Sequence, residues 1–221
     1  MAEFENLVQK KRAHLNLGVH DMGTMVIDAL RRSVQCLTSQ DLELAREIIE
    51  NDPFINDRRR ILENECLVAL AAYKPAGQDL RCLGACLGLV SELERIGDYA
   101  ADVARIVQRA GAGRFPVGPL AAVKQVGEDA IAMLVGALAA FDCGGDEASA
   151  RASVAQEDQV DAEEEAVVEQ VLDLMRSDPE MATLGTYLLW IVHNLERIGD
   201  HATNVAERVV FLVSGETPEL N

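Results

Sequence analysis

The segment Leu93-Glu-Arg-Ile-Gly-Asp-Tyr-Ala-Ala-Asp-Val-Ala-Arg-Ile-Val107 returns 102 residues later as Leu195-Glu-Arg-Ile-Gly-Asp-His-Ala-Thr-Asn-Val-Ala-Glu-Arg-Val209, with ten of fifteen positions identical. A second pair, Asp52-Pro-Phe-Ile-Asn56 and Glu157-Asp-Gln-Val-Asp161, stands in the same order at an offset of 105. Two landmarks in one order imply that a whole unit was duplicated. An offset near 100 residues is too long for a solenoid repeat and suits a small domain. The 221 residues therefore read as two similar domains, 1–112 and 116–221, joined where Gly111-Ala-Gly-Arg-Phe-Pro-Val-Gly-Pro119 interrupts every helical pattern.

Helices are the expected elements. Ala, Leu, Val and Glu abound while aromatic residues make up only 4%, a mixture that favours helices over pleated, half-buried surfaces. An apolar-periodic stretch from about Phe4 stops at Thr38-Ser39, and Ser39 resembles the N-cap of the next helix. That helix runs to about Tyr73, with Pro53 expected to kink or break it near Asn51, and Lys74-Pro75 ends it. In the second half, Phe141 to Gly145 separates two further helices, and Ser177-Asp178-Pro179-Glu180 opens the last. The last helix carries the seam Leu188, Ile191, Leu195, Ile198, Ala202, Val205, Val209 and Leu212, in steps of three and four. Shifted by 102, the seam becomes Cys86, Leu89, Leu93, Ile96, Ala100, Val103, Val107 and Ala110. The expected fold is all-α: two tandem, pseudo-symmetric three-helix bundles of six long antiparallel helices.

A formal charge of −17 opposes binding to a phosphate backbone and suits cations or basic protein patches. No stretch reaches the ~18 uncharged apolar residues that a membrane span requires. Glu3 and Glu5 flank Phe4 where a secretory signal would be basic and then apolar, so a cytoplasmic protein is expected. Five cysteines without a C-x-x-C pair indicate neither a disulfide framework nor a zinc knuckle, and Cys82 and Cys86 fall on the apolar stripe as core residues.

Acidic residues form ladders beside these seams. Glu196, Asp200 and Asn204 follow one another at four-residue steps, as do Glu94, Asp98 and Asp102, on the side of the helix away from Leu195 and Ile198. Such a stripe is expected to be open to solvent, to a cation or to another protein. Arg95 and Arg197, each beside the first acid, are candidates to offset the repulsion, which leaves a merely solvated acidic face as the plainer alternative. The middle helix of each half carries a second acidic element, Asp52 with Asn56 and Glu157 with Asp161. Where middle and last helices are neighbours, these oxygens can converge as they do around metal ions in helical bundles. Gly97 and Gly199 each cost a helix about 1 kcal/mol relative to Ala, which tight packing is expected to offset.

Glu-Arg-Ile-Gly-Asp followed by Ala and Val-Ala, in a duplicated helical chain, resembles the PhoU family, as do Lys74-Pro-Ala-Gly-Gln-Asp-Leu-Arg81 and Asn194-Leu-Glu-Arg-Ile-Gly-Asp-His-Ala-Thr-Asn-Val-Ala-Glu207. The resemblance implies a non-catalytic negative regulator of phosphate uptake and of the phosphate-starvation (Pho regulon) response. It implies contact with the ATPase subunit of the phosphate ABC transporter and with a sensor histidine kinase, a homodimer, and membrane association only through those partners. It implies metal ions, iron, zinc, manganese or magnesium, on E/D-x-x-x-D elements, here Glu94 with Asp98, Glu196 with Asp200, Glu157 with Asp161, and Asp52 with Asn56. With Asp102, these acids are the candidate ligands; Asn56 departs from the pattern and weakens the first site. No organic cofactor is expected.

Two other classes remain open. A carboxylate-bridged di-metal enzyme predicts Glu-x-x-His pairs, yet His14, His20, His193 and His201 follow Lys11, Leu17, Trp190 and Ile198 by three residues. A metal-free adaptor would use the acidic stripes to bind basic partners. His201, next to Asp200, is a candidate additional ligand.

Overall fold

The computed structural model describes residues 2–220, with side chains from residue 7 onward. The start of the first apolar stripe at Phe4, and its flanking Glu3 and Glu5, lie outside the described side chains. The helices run α1 (Ala2–Ser39), α2 (Leu42–Tyr73), α3 (Gln78–Ala110), α4 (Val117–Asp142), α5 (Glu147–Ser153), α6 (Glu157–Ser177) and α7 (Ala182–Ser214), with a short 3-10 turn at Pro179–Met181. Among the described residues there is no strand. Helices α1, α2 and α3 form one bundle and α4, α5–α6 and α7 the other, so the fold is the duplicated three-helix arrangement read from the repeat. No helix of the described residues is long and apolar enough to cross a membrane.

Both seams are interior. Leu188, Ile191, Leu195, Ile198, Ala202, Val205, Val209 and Leu212 are buried, and of their counterparts only Ala110, at the end of α3, is partly exposed. The halves share one continuous core, with α3 lying along α7 and α1 against α4. Tyr99 and His201, equivalent positions of the repeat, meet with ring centroids 5.6 Å apart. Equivalent residues in mutual contact mark the pseudo-twofold axis between α3 and α7. Cys66, Cys82 and Cys86 are buried, the last two with Sγ donating to Asn16 Oδ1 at 3.4 and 3.7 Å, so packing accounts for them.

Two boundaries differ from the sequence expectation. Ser39 still belongs to α1, its hydroxyl donating to the Gln35 carbonyl, and Gln40 turns the chain with φ 51°. The cap of α2 is Asp41, which accepts from the Glu43 and Leu44 backbone N–H groups. Asp41→Ala removes both bonds and is expected to cost about 1 kcal/mol in a denaturation midpoint, whereas Ser39→Ala should change little. Gln40 then ties this corner to the inter-half linker, donating to the Gly113 carbonyl and accepting from Phe115 N–H.

The second difference concerns Pro53. Helix α2 continues through it, and the interruption falls instead at residues 154–156, the equivalent place in the other half, between α5 and α6. There Gly136 admits Ser153 so closely that a Cβ on the glycine would lie 2.6 Å from the serine Cβ, while Val154 turns inward to 4% exposure. Ser153 is thus seated on α4 and Val154 in the core where the chain leaves helical geometry. Glu157 thereby becomes the first residue of α6, where the helix dipole favours an anion, whereas Asp52 stands inside α2.

Candidate functional site

The acids lie in two grooves, one between α2 and α3 and one between α6 and α7. Each groove is set by a glycine. A Cβ on Gly97 would come within 3.1 Å of Ile55, and one on Gly199 within 3.5 Å of Val160, so each middle helix seats a branched side chain directly on the last helix of its half. At Gly97 this is the tight packing expected to offset the glycine cost, whereas a Cβ on Gly199 would meet only ordinary van der Waals contact. Beside these contacts Asp52 faces α3, and Glu157 and Asp161 face α7. The stripes are less open than their place beside the seam implied, because the middle helix covers them: the Glu94 side chain is 12% exposed and Glu157 only 7%.

In the α6–α7 groove, Glu157, Asp161 and Asp200 each offer a carboxylate oxygen, all within 4.8 Å of one another. Among the described residues no other trio of His, Cys, Asp or Glu is gathered so closely. The side-chain carboxylates of Glu157 and Asp161 have no hydrogen bond or ion pair to any other described residue. Asp200 is flanked by Arg197, 3.6 Å away, whose Nε also donates to the Tyr99 hydroxyl at 3.4 Å. Glu196 lies 3.3 Å from the largely exposed His193, and its Oε2 is buried without a hydrogen bond.

Crowding of like charge is expressed in the titration of these groups. Burial, then the charges of Asp200 and Asp161, push Glu196 up to about 7. Glu157 rises through burial and the charges of Asp161 and Asp200, and Asp161 through burial and the charge of Asp200. A carboxyl raised in the folded state contributes stability that is full below its unfolded value and lost as pH climbs through its folded value. Chelator-stripped protein is therefore expected to lose melting temperature between about pH 4.5 and 7, and Glu196→Gln to flatten that slope.

The α2–α3 groove is built differently. Arg105 bridges Asp102 at 2.6 Å and Asp52 Oδ2 at 3.2 Å, and Arg59 lies 3.4 Å from Glu94. Asp52 Oδ1 is buried without a hydrogen bond. Burial and the charge of Asp98 raise both Asp52 and Glu94, and Arg105 and Arg59 respectively oppose the rise. The neutralising cations are thus Arg59 and Arg105. Arg95, the sequence candidate, only grazes Glu94 at 4.0 Å. His201 turns away from the acids, its Nδ1 lying 2.6 Å from Glu92 on α3, a carboxylate that also accepts from Asn204.

Fold and grooves together define an internally duplicated, all-helical bundle protein with paired carboxylate ladders. A family model described as the PhoU domain matches residues 19–107 and again 123–209. A phosphate-specific transport system accessory protein PhoU homolog of Pseudomonas aeruginosa is 35% identical over 215 residues, covering 96% of this chain and 86% of that protein. The crystal structure of PhoU from Pseudomonas aeruginosa has a TM-score of 0.90 and 31% identity, covering 94% of this chain and 99% of that one. The phosphate transport system regulatory protein PhoU from Streptococcus pneumoniae gives 0.89 and 28%, covering 96% and 99%. The chain belongs to the PhoU family.

Proposed function

We propose that this chain is a non-catalytic accessory regulator of phosphate-specific transport that restrains phosphate uptake and the starvation response while phosphate is plentiful. The observation that carries the reading is likeness along nearly the whole chain, in sequence and in fold, to proteins named as accessory and regulatory components of phosphate transport. Its partners are the ATPase subunit of the phosphate ABC transporter and a sensor histidine kinase, met by a cytoplasmic homodimer that reaches the membrane only through them. The repeats 1–112 and 116–221 are the duplicated units.

Such a regulator works by binding one partner conformation more tightly than another. A ligand with equal affinity for both states shifts nothing, and moving a partner from 1:99 to 99:1 takes about a 10⁴-fold preference. A rigid double bundle of net charge −17 is suited to this, because a charged, pre-ordered face loses little entropy on docking.

Metal binding forms part of the proposal. The α6–α7 groove fits a divalent cation: Glu157, Asp161 and Asp200 are hard oxygen donors from two helices, and Glu157 is buried without a counter-charge. A cation there would neutralise the acids and tie α6 to α7. The di-metal enzyme reading gains no support, since His201 is engaged with Glu92 on the far side of α7.

The decisive experiment is affinity capture of the tagged full chain from phosphate-replete cells. Recovery of the transporter ATPase and a sensor kinase is expected. Capture of neither, with the protein folded, contradicts the reading.

A further inference from the structure

The repeat offsets place the residues of the two grooves in correspondence: Asp52 with Glu157, Glu94 with Glu196 and Asp98 with Asp200 keep their charge, but Arg59 falls on Glu164 and Arg105 on Glu207. The register holds in space, because Ile55 and Val160, Leu62 and Val167, and Cys66 and Val171 are buried in equivalent places. Both replaced residues act on equivalent partners. Arg59 lies 3.4 Å from Glu94 where the charge of Glu164 acts on Glu196, and Arg105 lies 3.2 Å from Asp52 where the charge of Glu207 acts on Glu157. Two cations in one groove have become two anions in the other.

We propose that the grooves divide their work: the α6–α7 groove takes a divalent cation through Glu157, Asp161 and Asp200, whereas the α2–α3 groove is already filled by the guanidinium groups of Arg59 and Arg105 and takes none. The inference rests on the metal reading above and revises the expectation that Asp52, Glu94, Asp98 and Asp102 are ligands. A guanidinium stays protonated at any pH the protein survives, so it cannot be titrated aside as a histidine or lysine can. Arg105 holds Asp52 and Asp102 together, and an incoming cation would have to displace it while facing Arg59 as well. In the other groove Arg197 lies 3.6 Å from Asp200 on its own helix, but among the described residues no cation bridges α6 to α7 or pairs with Glu157 or Asp161. Helix α6 has no basic residue before Arg176, which pairs with Asp173. The Glu157 carboxylate, on a residue more than nine-tenths buried, has no hydrogen bond or ion pair to any other described residue, though its oxygen lies within 4.8 Å of those of Asp161 and Asp200. A buried carboxylate is costly unless paired, and a bound cation supplies here what arginine supplies in the first groove.

The test is Mn²⁺ binding to the metal-stripped full-length chain, with stoichiometry and affinity read from the electron paramagnetic resonance signal of free Mn²⁺. Asp161→Asn with Asp200→Asn is expected to weaken binding by about 100-fold or more, and Glu94→Gln with Asp98→Asn to leave the isotherm unchanged. Arg59→Gln with Arg105→Gln is expected to open the first groove and raise the number of Mn²⁺ bound. Equal losses from the two amide pairs, or no added Mn²⁺ in the arginine variant, overturn the division while leaving the metal reading intact. No Mn²⁺ on the unaltered chain sinks both.

Discussion

Asp200→Asn is expected to raise the melting temperature of the metal-stripped protein and to lower it in excess Mn²⁺. In the stripped protein Asp200 contributes to the raised titration of Glu196, Glu157 and Asp161, so its negative charge destabilises all three carboxylates. Removing the charge while keeping the shape relieves that repulsion. The gain is about 1 kcal/mol, or about 2–4 °C for a chain of this size, after allowance for solvent screening in a groove open on one side. With metal the sign reverses. A cation at 100 times its dissociation constant adds about 2.7 kcal/mol to the native state, and a variant that has lost a ligand forgoes most of it. Calorimetric scans with chelator and with Mn²⁺ check both halves of the statement. A change of the same sign in the two conditions contradicts the cation site.

Leu195→Ala is expected to cost about 2–5 kcal/mol of folding stability, with no second transition. Leu195 is 1% exposed on α7 and meets α4 at Gly127, where a Cβ would come within 3.4 Å of it and within 2.9 Å of Val34 on α1. Three helices from both halves close on this point, so a cavity there weakens the shared core and not one bundle alone. Urea unfolding should show one transition at a lower midpoint, with the slope preserved. The contrasting Val117→Ala, at 83% exposure, should leave the midpoint almost where it is. Early melting of the second half by itself would show that the bundles are energetically independent.

The repeat made the architecture readable because duplication constrains both halves at once. Seam residues at steps of three and four can bury themselves in only one way on a helix, and they are buried here. The helix ends were harder, since capping depends on local geometry that a neighbouring residue can take over: Asp41 serves where Ser39 stood equally ready. The interruption at residues 154–156 follows from the contact of Ser153 with Gly136 across a helix pair, which no local pattern encodes. In the site, the acids were visible from their regular spacing, but of the arginines that pair with them only Arg197 was. Arg197 lies 3.6 Å from Asp200 on its own helix and Arg95 only grazes Glu94, whereas Arg59 and Arg105 reach across from α2 to α3 and from α3 to α2. The exchange of Arg105 for Glu207 lies within the fifteen-residue repeat itself, and that of Arg59 for Glu164 lies three residues beyond Asn56 and Asp161.

The central claim, that this chain restrains the phosphate-starvation response, is tested most directly by deleting its gene and measuring secreted phosphatase activity in phosphate-rich medium. The account predicts activity as high as in starved cells, returned to the repressed level when the full chain is supplied in trans. Phosphatase that stays repressed in the deletion strain would contradict it.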